Sequence, residues 1–243
     1  AGMPGLDPVQ RVDDDSRDLQ DVVYWEPRNR IDALAVRLHA ALLAGGRATV
    51  VLLATLIIGA QLLLTGVAAL TEPLLGAYIL LSVVPALGLA VYVWRWDVTS
   101  AEPAGMLVVT FLLGFLLAGL AAVLNTSLSG LFGEAGLGLL LFFFVVVGPV
   151  EETVKWLAVR LYAYRSGEFD AVVDGAVYGA MAGLGFATIE NALYITEQYV
   201  NAAGAVAPLQ ASLTTAATRS LAGPGHVIYS GVAGYYLGLA KFN

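Results

Sequence analysis

Acidic and imidazole side chains interrupt otherwise apolar runs at three places in this 243-residue chain. Glu151 and Glu152 stand side by side and are followed one turn later by Lys155. Glu190 and His226 lie further along, each within another apolar segment. A charged side chain near the centre of a bilayer costs about 2.5–3.5 kcal/mol on insertion scales. Their presence therefore predicts a functional site within a membrane-spanning region.

Side chains of these types can activate water for hydrolysis of a peptide bond. The reaction needs a general base, a group that stabilises the oxyanion and an acid for the leaving amine. The chain has no cysteine, which excludes thiolate nucleophiles and cysteine-bound zinc. Two arrangements stay open. Either Zn²⁺ is held by two carboxylates and His226 with the remaining glutamate as base, or Glu151 and His226 activate water without a metal.

The balance of charge bears on this choice. Three ionised glutamates against Lys155 and Arg219 leave about one net negative charge when His226 is neutral. A divalent ion would bring the sum to about plus one, whereas one protonated carboxyl group would bring it to zero. Charge counting favours the metal-free arrangement without deciding the matter.

The composition indicates a polytopic membrane protein. Apolar residues make up 58% of the chain and charged residues 13%, and the mean hydropathy is +0.77. The net charge of −7 comes largely from an acidic N-terminal leader, so a basic nucleic-acid-binding surface is absent and no nucleic-acid partner is expected. The expected surroundings are a lipid bilayer.

The apolar runs predict an all-α bundle of about seven spanning helices, since one span needs about 20 apolar residues. Residues 31–44 have apolar positions at helical spacing and predict a separate amphipathic helix at the membrane interface, with His39 on its polar face. The predicted spans lie near 48–70, 74–94, 105–124, 136–163, 171–197, 208–222 and 224–241.

The chain divides into two predicted parts. Residues 1–47 form a cytoplasmic acidic leader with the interfacial helix, and residues 48–243 form the transmembrane domain, whose motif-bearing core is 136–241. Arginine residues precede the first span and recur only in alternate loops, at Arg95 and at Arg160 and Arg165. This asymmetry predicts a multi-pass protein with a cytoplasmic N-terminus.

Glycines predict how the last helices pack. Gly175, Gly179 and Gly183 recur every four residues and form a face that another helix can approach closely. The Gly223-Pro224-Gly225 sequence predicts a helix break just before His226. With straight spans and such a break, His226 would start its helix on the inner side, away from Glu190. The break is therefore predicted to lie within the bilayer, or segment 208–222 to cross it only in part.

The ordered motifs resemble those of the PrsW family of intramembrane proteases, which belongs to a wider clan with the type II CAAX prenyl endopeptidases. The resemblance covers roughly residues 136–240. This chain differs from the CAAX enzymes at two positions: it has Glu190 where they carry His, and Ser230 where they often carry Asn. The residue that would stabilise the oxyanion is therefore left unassigned. The motifs are EETVK at 151–155, DGAVYG at 174–179, GLGFATIEN at 183–191, then Arg219 and His226.

The resemblance implies a membrane enzyme that cleaves a membrane-anchored protein substrate, as in regulated proteolysis of an anti-sigma factor. Because the family is customarily described as metalloproteases, it also favours Zn²⁺, with Glu152, Glu190 and His226 as ligands. The implied catalytic residues are Glu151, Glu152, Glu190 and His226, and the supporting ones are Lys155, Asp174, Asn191 and Arg219.

Two other functions are compatible with the same residues. A proton-coupled transporter also carries intramembrane acids with Lys, Arg and His, although it commonly shows paired halves, and no repeat links the halves of this chain. A non-catalytic membrane protein would use the glycine faces to bind a membrane partner.

Overall fold

The structure is a computed structural model that describes residues 29–97, 101–133, 135–202 and 207–242. Most of the predicted acidic leader, residues 1–28, lies outside the described residues. Within the described ranges there are helices and no strands, which confirms the all-α prediction. The helices are α1 (Arg30–Thr71), α2 (Pro73–Arg95), α3 (Ala104–Ser129), α4 (Gly136–Phe142), a π-helical segment (Phe143–Val147), α5 (Gly148–Leu161), a short 3₁₀ turn (Ala163–Arg165), α6 (Val172–Asn201) and α7 (Pro208–Phe242).

Five helical stretches of the described chain are long and apolar enough to cross a membrane. They are α1, α2, α3, the stretch Gly136–Arg165 and α6. Helix α7 is as long as the others but carries Arg219 and His226 among its polar residues, and it is not in that set.

The predicted interfacial helix at 31–44 is not a separate element, because α1 runs through it as one helix of 42 residues. Asn29 starts this helix by accepting hydrogen bonds from the amides of Ile31 at 2.8 Å and Asp32 at 2.9 Å. Each glycine in a helix costs only about 1 kcal/mol relative to alanine, so Gly45 and Gly46 do not end α1. At 1.5 Å per residue, α1 is about 63 Å long and exceeds a hydrocarbon core of about 30 Å.

The predicted break at Gly223-Pro224-Gly225 is also wrong, because α7 continues from Pro208 to Phe242 as one helix. A proline inside a helix removes one backbone hydrogen bond and costs about 3 kcal/mol. Close packing of α7 against α6 along its length offsets this cost. His226 therefore lies in the middle of a long helix and reaches the same level as Glu190 without any irregular backbone.

Helices α6 and α7 pack antiparallel with their backbones in contact, as the glycine spacing predicted. A Cβ atom added at Gly175 would lie 2.1 Å from the carbonyl oxygen of Gly234, and one at Gly179 would lie 2.1 Å from that of Ser230. One turn further, a Cβ atom at Gly183 would lie 2.3 Å from the carbonyl oxygen of His226. These contacts set the register of the two helices and place the backbone of His226 beside Gly183 of α6.

A second glycine contact joins α6 to α3. A Cβ atom at Gly185 would lie 2.0 Å from the Phe111 carbonyl oxygen, and one at Gly114 would lie 2.2 Å from that of Ala182. Helix α6 thus packs against α7 on one side and against α3 on another. In its most apolar stretch 72% of the residues are buried, compared with 17–39% in the other four spanning stretches. This central helix carries Glu190.

Candidate active site

Glu151 lies in the first turn of α5, which directly follows the π-helical segment, and Glu152 is the next residue. Pro149 stands at the start of α5, where its missing N–H requires no helical partner. Local π-helix is frequent at functional sites because it shifts the helix register over a short distance. Adjacent residues on a helix point about 100° apart, so Glu151 and Glu152 make different contacts.

Glu190 and His226 are bonded to each other, and the α6–α7 register brings them together. The Nε2 atom of His226 lies 2.8 Å from Oε2 of Glu190. On the other side of the ring, Nδ1 lies 3.0 Å from Nζ of Lys155. An ammonium group only donates, so Nδ1 accepts from Lys155, and Nε2 carries the proton that it donates to Glu190. The two contacts fix both the tautomer and the orientation of the imidazole.

Arg219 is the cation that pairs with Glu190. The packing of α7 against α6 places it opposite that residue. Its guanidinium group donates through NH2 to Oε2 of Glu190 and through Nε to Oδ1 of Asn191, the latter at 2.9 Å. Asn191 is fully buried and donates through Nδ2 to the backbone oxygen of Ser82 on α2 at 3.2 Å. Glu190 and Asn191 therefore bind one planar guanidinium group together. The same group also lies over the ring of Tyr194.

Lys155 is the other cation of the site, and only 1% of its side chain is exposed. Its Nζ donates to Oε1 of Glu152 at 2.6 Å and lies 4.6 Å from the centroid of the Phe186 ring. The same ring lies 5.1 Å from that of His226. Phe186 thus packs against both the ammonium group and the imidazole.

Glu151 points about 100° away from Glu152 around α5 and joins the pair on α6 and α7. One donor atom from each of Glu151, Glu190 and His226 lies within 4.8 Å of the other two. The side-chain amide of Asn125, near the end of α3, donates to Oε1 of Glu151 at 3.3 Å. Three helices therefore supply one cluster of two carboxylates and an imidazole, and a fourth helix, α3, supplies the amide that bonds to it.

The cluster borders a cavity of about 380 Å³ between α1, α3, α5 and α6. Glu151 and Glu190 lie in its wall, and Leu64, Ala118 and Leu193 provide part of its apolar lining. The cavity continues along one face of α6 to Asn201, at the end of that helix. A space of this size can hold water together with a short stretch of peptide.

Two of the predicted site residues lie outside the cluster. Glu152 is 38% exposed and pairs with Lys155, so it reaches the imidazole only through that lysine. Asp174 is 16 residues before Glu190 on α6, or about 24 Å along the helix axis. It lies in the first turn, where its Oδ2 accepts from the amides of Asp170 at 2.8 Å and Ala171 at 2.7 Å.

Sequence reasoning missed Asn125 and the cavity residue Glu197. Asn125 begins a polar stretch that reads as a loop, but α3 continues to Ser129 and turns Asn125 toward Glu151. Glu197 follows Glu190 by seven residues, which is two helical turns, so helical spacing would have placed it on the same face. No comparable signal pointed to Asn125.

The cluster fits a catalytic zinc centre in the number and chemical type of its donors. Three protein ligands leave a fourth position for water or substrate, and two carboxylates with one imidazole are acceptable ligands, although known sets usually carry more than one imidazole. Glu151 stands in this set in place of the expected Glu152. An ion at Nε2 of His226 would replace the hydrogen bond to Glu190, and Lys155 would remain on Nδ1.

Comparison with known proteins agrees with the geometry. Residues 102–243 match the family described as PrsW family intramembrane metalloprotease. No solved structure matches the chain.

Curated relatives carry the name Protease PrsW. The protein of Halalkalibacterium halodurans is 33% identical over 162 residues, which covers 66% of this chain and 68% of that protein. The protein of Geobacillus kaustophilus is 34% identical over 162 residues, covering 66% and 65% of the two chains. The protein of Bacillus subtilis is 31% identical over 167 residues, covering 69% and 70%.

Proposed function

Because the chain belongs to the PrsW family of intramembrane proteases, we propose that Glu151, Glu190 and His226 form its catalytic centre. The observation that carries this proposal is their convergence within 4.8 Å, beside a cavity in the helical bundle that Glu151 and Glu190 line. Membership of a protease family also favours this function over the proton-coupled transporter and the non-catalytic binding protein that the sequence left open.

In the proposed mechanism Glu151 is the general base. It lies in the cavity wall with one oxygen held by Asn125, so its carboxylate can take a proton from a water molecule in the cavity. The water oxygen then attacks the carbonyl carbon of the substrate peptide. Lys155 and Arg219, which contact His226 and Glu190, favour the negative charge that develops on the carbonyl oxygen.

His226 acts on the leaving amine in this mechanism. Its Nε2 proton lies between the imidazole and Glu190 and passes to the leaving amine, while Nδ1 takes a proton from Lys155, so that the ring stays neutral. Glu151 then gives the proton that it took from water to Lys155, one helical turn along α5, which restores the ammonium group. Lys155 holds the ring through Nδ1, and Arg219 holds Glu190, so the proton is kept at a defined place. A Zn²⁺ ion held by Glu151, Glu190 and His226 would supply Lewis-acid polarisation of the carbonyl and activation of water.

The substrate is proposed to be a membrane-anchored protein cleaved in or beside its transmembrane segment. Most of the surface of the cavity is apolar, which suits a hydrophobic peptide that enters it laterally from the bilayer. Regulated cleavage of an anti-sigma-factor-like protein fits this class of substrate. Arginines at one end of the bundle, including Arg95 and Arg165, support a cytoplasmic N-terminus.

A reconstituted cleavage assay tests the proposed function. The purified full-length chain is placed in lipid vesicles with a panel of tagged single-span test proteins, and the products are mapped by mass spectrometry. We expect at least one test protein to be cut within or within a few residues of its span, and no cutting by the His226→Gln variant. Cutting that continues unchanged in His226→Gln would overturn the assignment of the centre.

Metal analysis distinguishes the two forms of the mechanism. If Zn²⁺ is part of the centre, the purified protein contains about one ion per chain, and both the ion and cleavage are lost on chelation and in Glu190→Gln. If carboxylate and imidazole act alone, cleavage survives exhaustive chelation and falls at low pH because the base must be ionised. One equivalent of zinc that remains bound in Glu151→Gln, Glu190→Gln and His226→Gln would contradict both forms.

A further inference from the structure

A second cluster of carboxylates lies at the other end of α6 from the active site. One carboxylate oxygen from each of Asp97, Glu102 and Asp174 lies within 4.8 Å of the other two. Asp97 and Glu102 belong to the connection between α2 and α3, and Asp174 belongs to the first turn of α6. None of them takes part in the proposed hydrolysis, because Asp174 is about 24 Å from Glu190 along the helix.

Glu102 is the residue that points to a ligand. It is only 5% exposed, and neither of its carboxylate oxygens accepts a hydrogen bond from an amide, a hydroxyl or a basic group of the described residues; the carboxyl group of Asp97 lies beside it. A buried carboxyl group without a donor is unfavourable, so its oxygens are expected to bind something that the protein itself does not supply. Burial, together with the neighbouring Asp97, raises the pKa of Glu102 to about 8 when no cation is bound.

The remaining geometry favours a cation held by oxygen atoms. Asp174 is fixed in place by two backbone amides, those of Asp170 and Ala171, and it is fully buried. Three carboxylates from two separate parts of the chain then surround one point. Hard divalent cations such as Ca²⁺ and Mg²⁺ prefer carboxylate oxygens and complete their coordination with water or backbone carbonyls.

The size of the cluster bears on which cation it takes. Two oxygens on one Ca²⁺ ion can lie up to about 4.6–5.2 Å apart, which is twice the Ca–O distance. For Mg²⁺ the same limit is about 4.0–4.2 Å. The three oxygens lie at most 4.8 Å from one another, so small side-chain movements can bring them onto one ion, and Mg²⁺ requires them to come closer together than Ca²⁺ does.

We propose that Asp97, Glu102 and Asp174 bind a hard divalent cation, Ca²⁺ or Mg²⁺, which joins the α2–α3 connection to the start of α6. The ion would anchor the end of the helix whose other half carries Glu190. The alternative for the same residues is a cluster that shares a proton between Asp97 and Glu102 and binds no ion.

Calorimetric titration of the purified full-length protein with CaCl₂, and separately with MgCl₂, tests the proposal. We expect one ion per chain with a dissociation constant between about 10⁻⁶ and 10⁻³ M, and a melting temperature about 5 °C higher at saturating ion. Glu102→Gln should weaken binding at least about tenfold and abolish the shift in melting temperature. Asp97→Asn provides a second variant if Glu102→Gln does not fold.

Two controls separate this site from its surroundings and from the active site. Glu168→Gln removes an exposed acid in the α5–α6 connection and should leave binding unchanged. His226→Gln should also bind the ion as the wild type does, whatever its effect on cleavage. Absence of both Ca²⁺ and Mg²⁺ binding by the wild type, or binding that persists unchanged in Glu102→Gln and Asp97→Asn, would overturn the proposal.

Discussion

Replacing Glu151 by Gln is expected to lower the rate of substrate cleavage by about 10²–10⁴-fold, because an amide cannot take a proton from water. The variant should fold normally, since the Gln side chain has the same shape and its oxygen can still accept from Asn125 at the position of Oε1. The rate is measured on a membrane-anchored substrate in vesicles, and the folded state is checked by melting temperature.

The neighbouring acids supply matched controls for this variant. Glu197 lies in the same cavity, but its carboxylate forms none of the described hydrogen bonds or ion pairs with Glu190 or His226. The Glu197→Gln variant should therefore cleave at a rate within about threefold of the wild-type rate. Glu152→Gln should lose less activity than Glu151→Gln because Glu152 acts through Lys155. Equal losses in Glu151→Gln and Glu197→Gln would show that total cavity charge matters and that no single base is required.

Replacing Gly179 by Val is expected to destabilise the bundle strongly. The new Cβ atom would lie 2.1 Å from the Ser230 carbonyl oxygen, so α6 and α7 must separate or shift. Overpacking of this kind lowers the free energy of unfolding by about 3 kcal/mol. It also moves His226 away from Glu190, so the melting temperature and cleavage should fall together.

The matched control is Gly59→Val on α1, where a Cβ atom meets nothing within 4 Å. Valine is a better helix former than glycine, so this variant should melt at the wild-type temperature or slightly above it. Both variants and the wild type are compared in the same detergent, and circular dichroism is used to monitor their thermal unfolding. An unchanged melting temperature in Gly179→Val would mean that the α6–α7 contact does not hold the bundle together.

The sequence predicted the membrane-spanning bundle and most members of the site, because an ionisable group in an apolar helix has few uses other than function. Glu151, Glu190 and His226 were each identifiable from that cost alone, and the glycine spacing on α6 identified the face that α7 contacts. These features depend on residue type and on local period, both of which can be read from one chain.

The continuity of α7 was not predictable in the same way. Gly223-Pro224-Gly225 has the local properties of a helix break, and only the tertiary contacts of α7 with α6 reverse that preference. The error also created an apparent mismatch in depth between His226 and Glu190, which disappears in one continuous helix. The choice between Glu151 and Glu152 likewise depended on the rotation of α5, which the π-helical segment before it sets.

The central claim is that Glu151 and His226 act as parts of one catalytic unit. It is tested most directly by comparing cleavage rates of Glu151→Gln, His226→Gln and the double variant on one substrate in the same vesicles. Residues that act as a unit are strongly non-additive, so the double variant should cleave within about threefold of the slower single variant. A double variant whose loss equals the product of the two single losses would contradict the claim, because it would mean that the two side chains act independently.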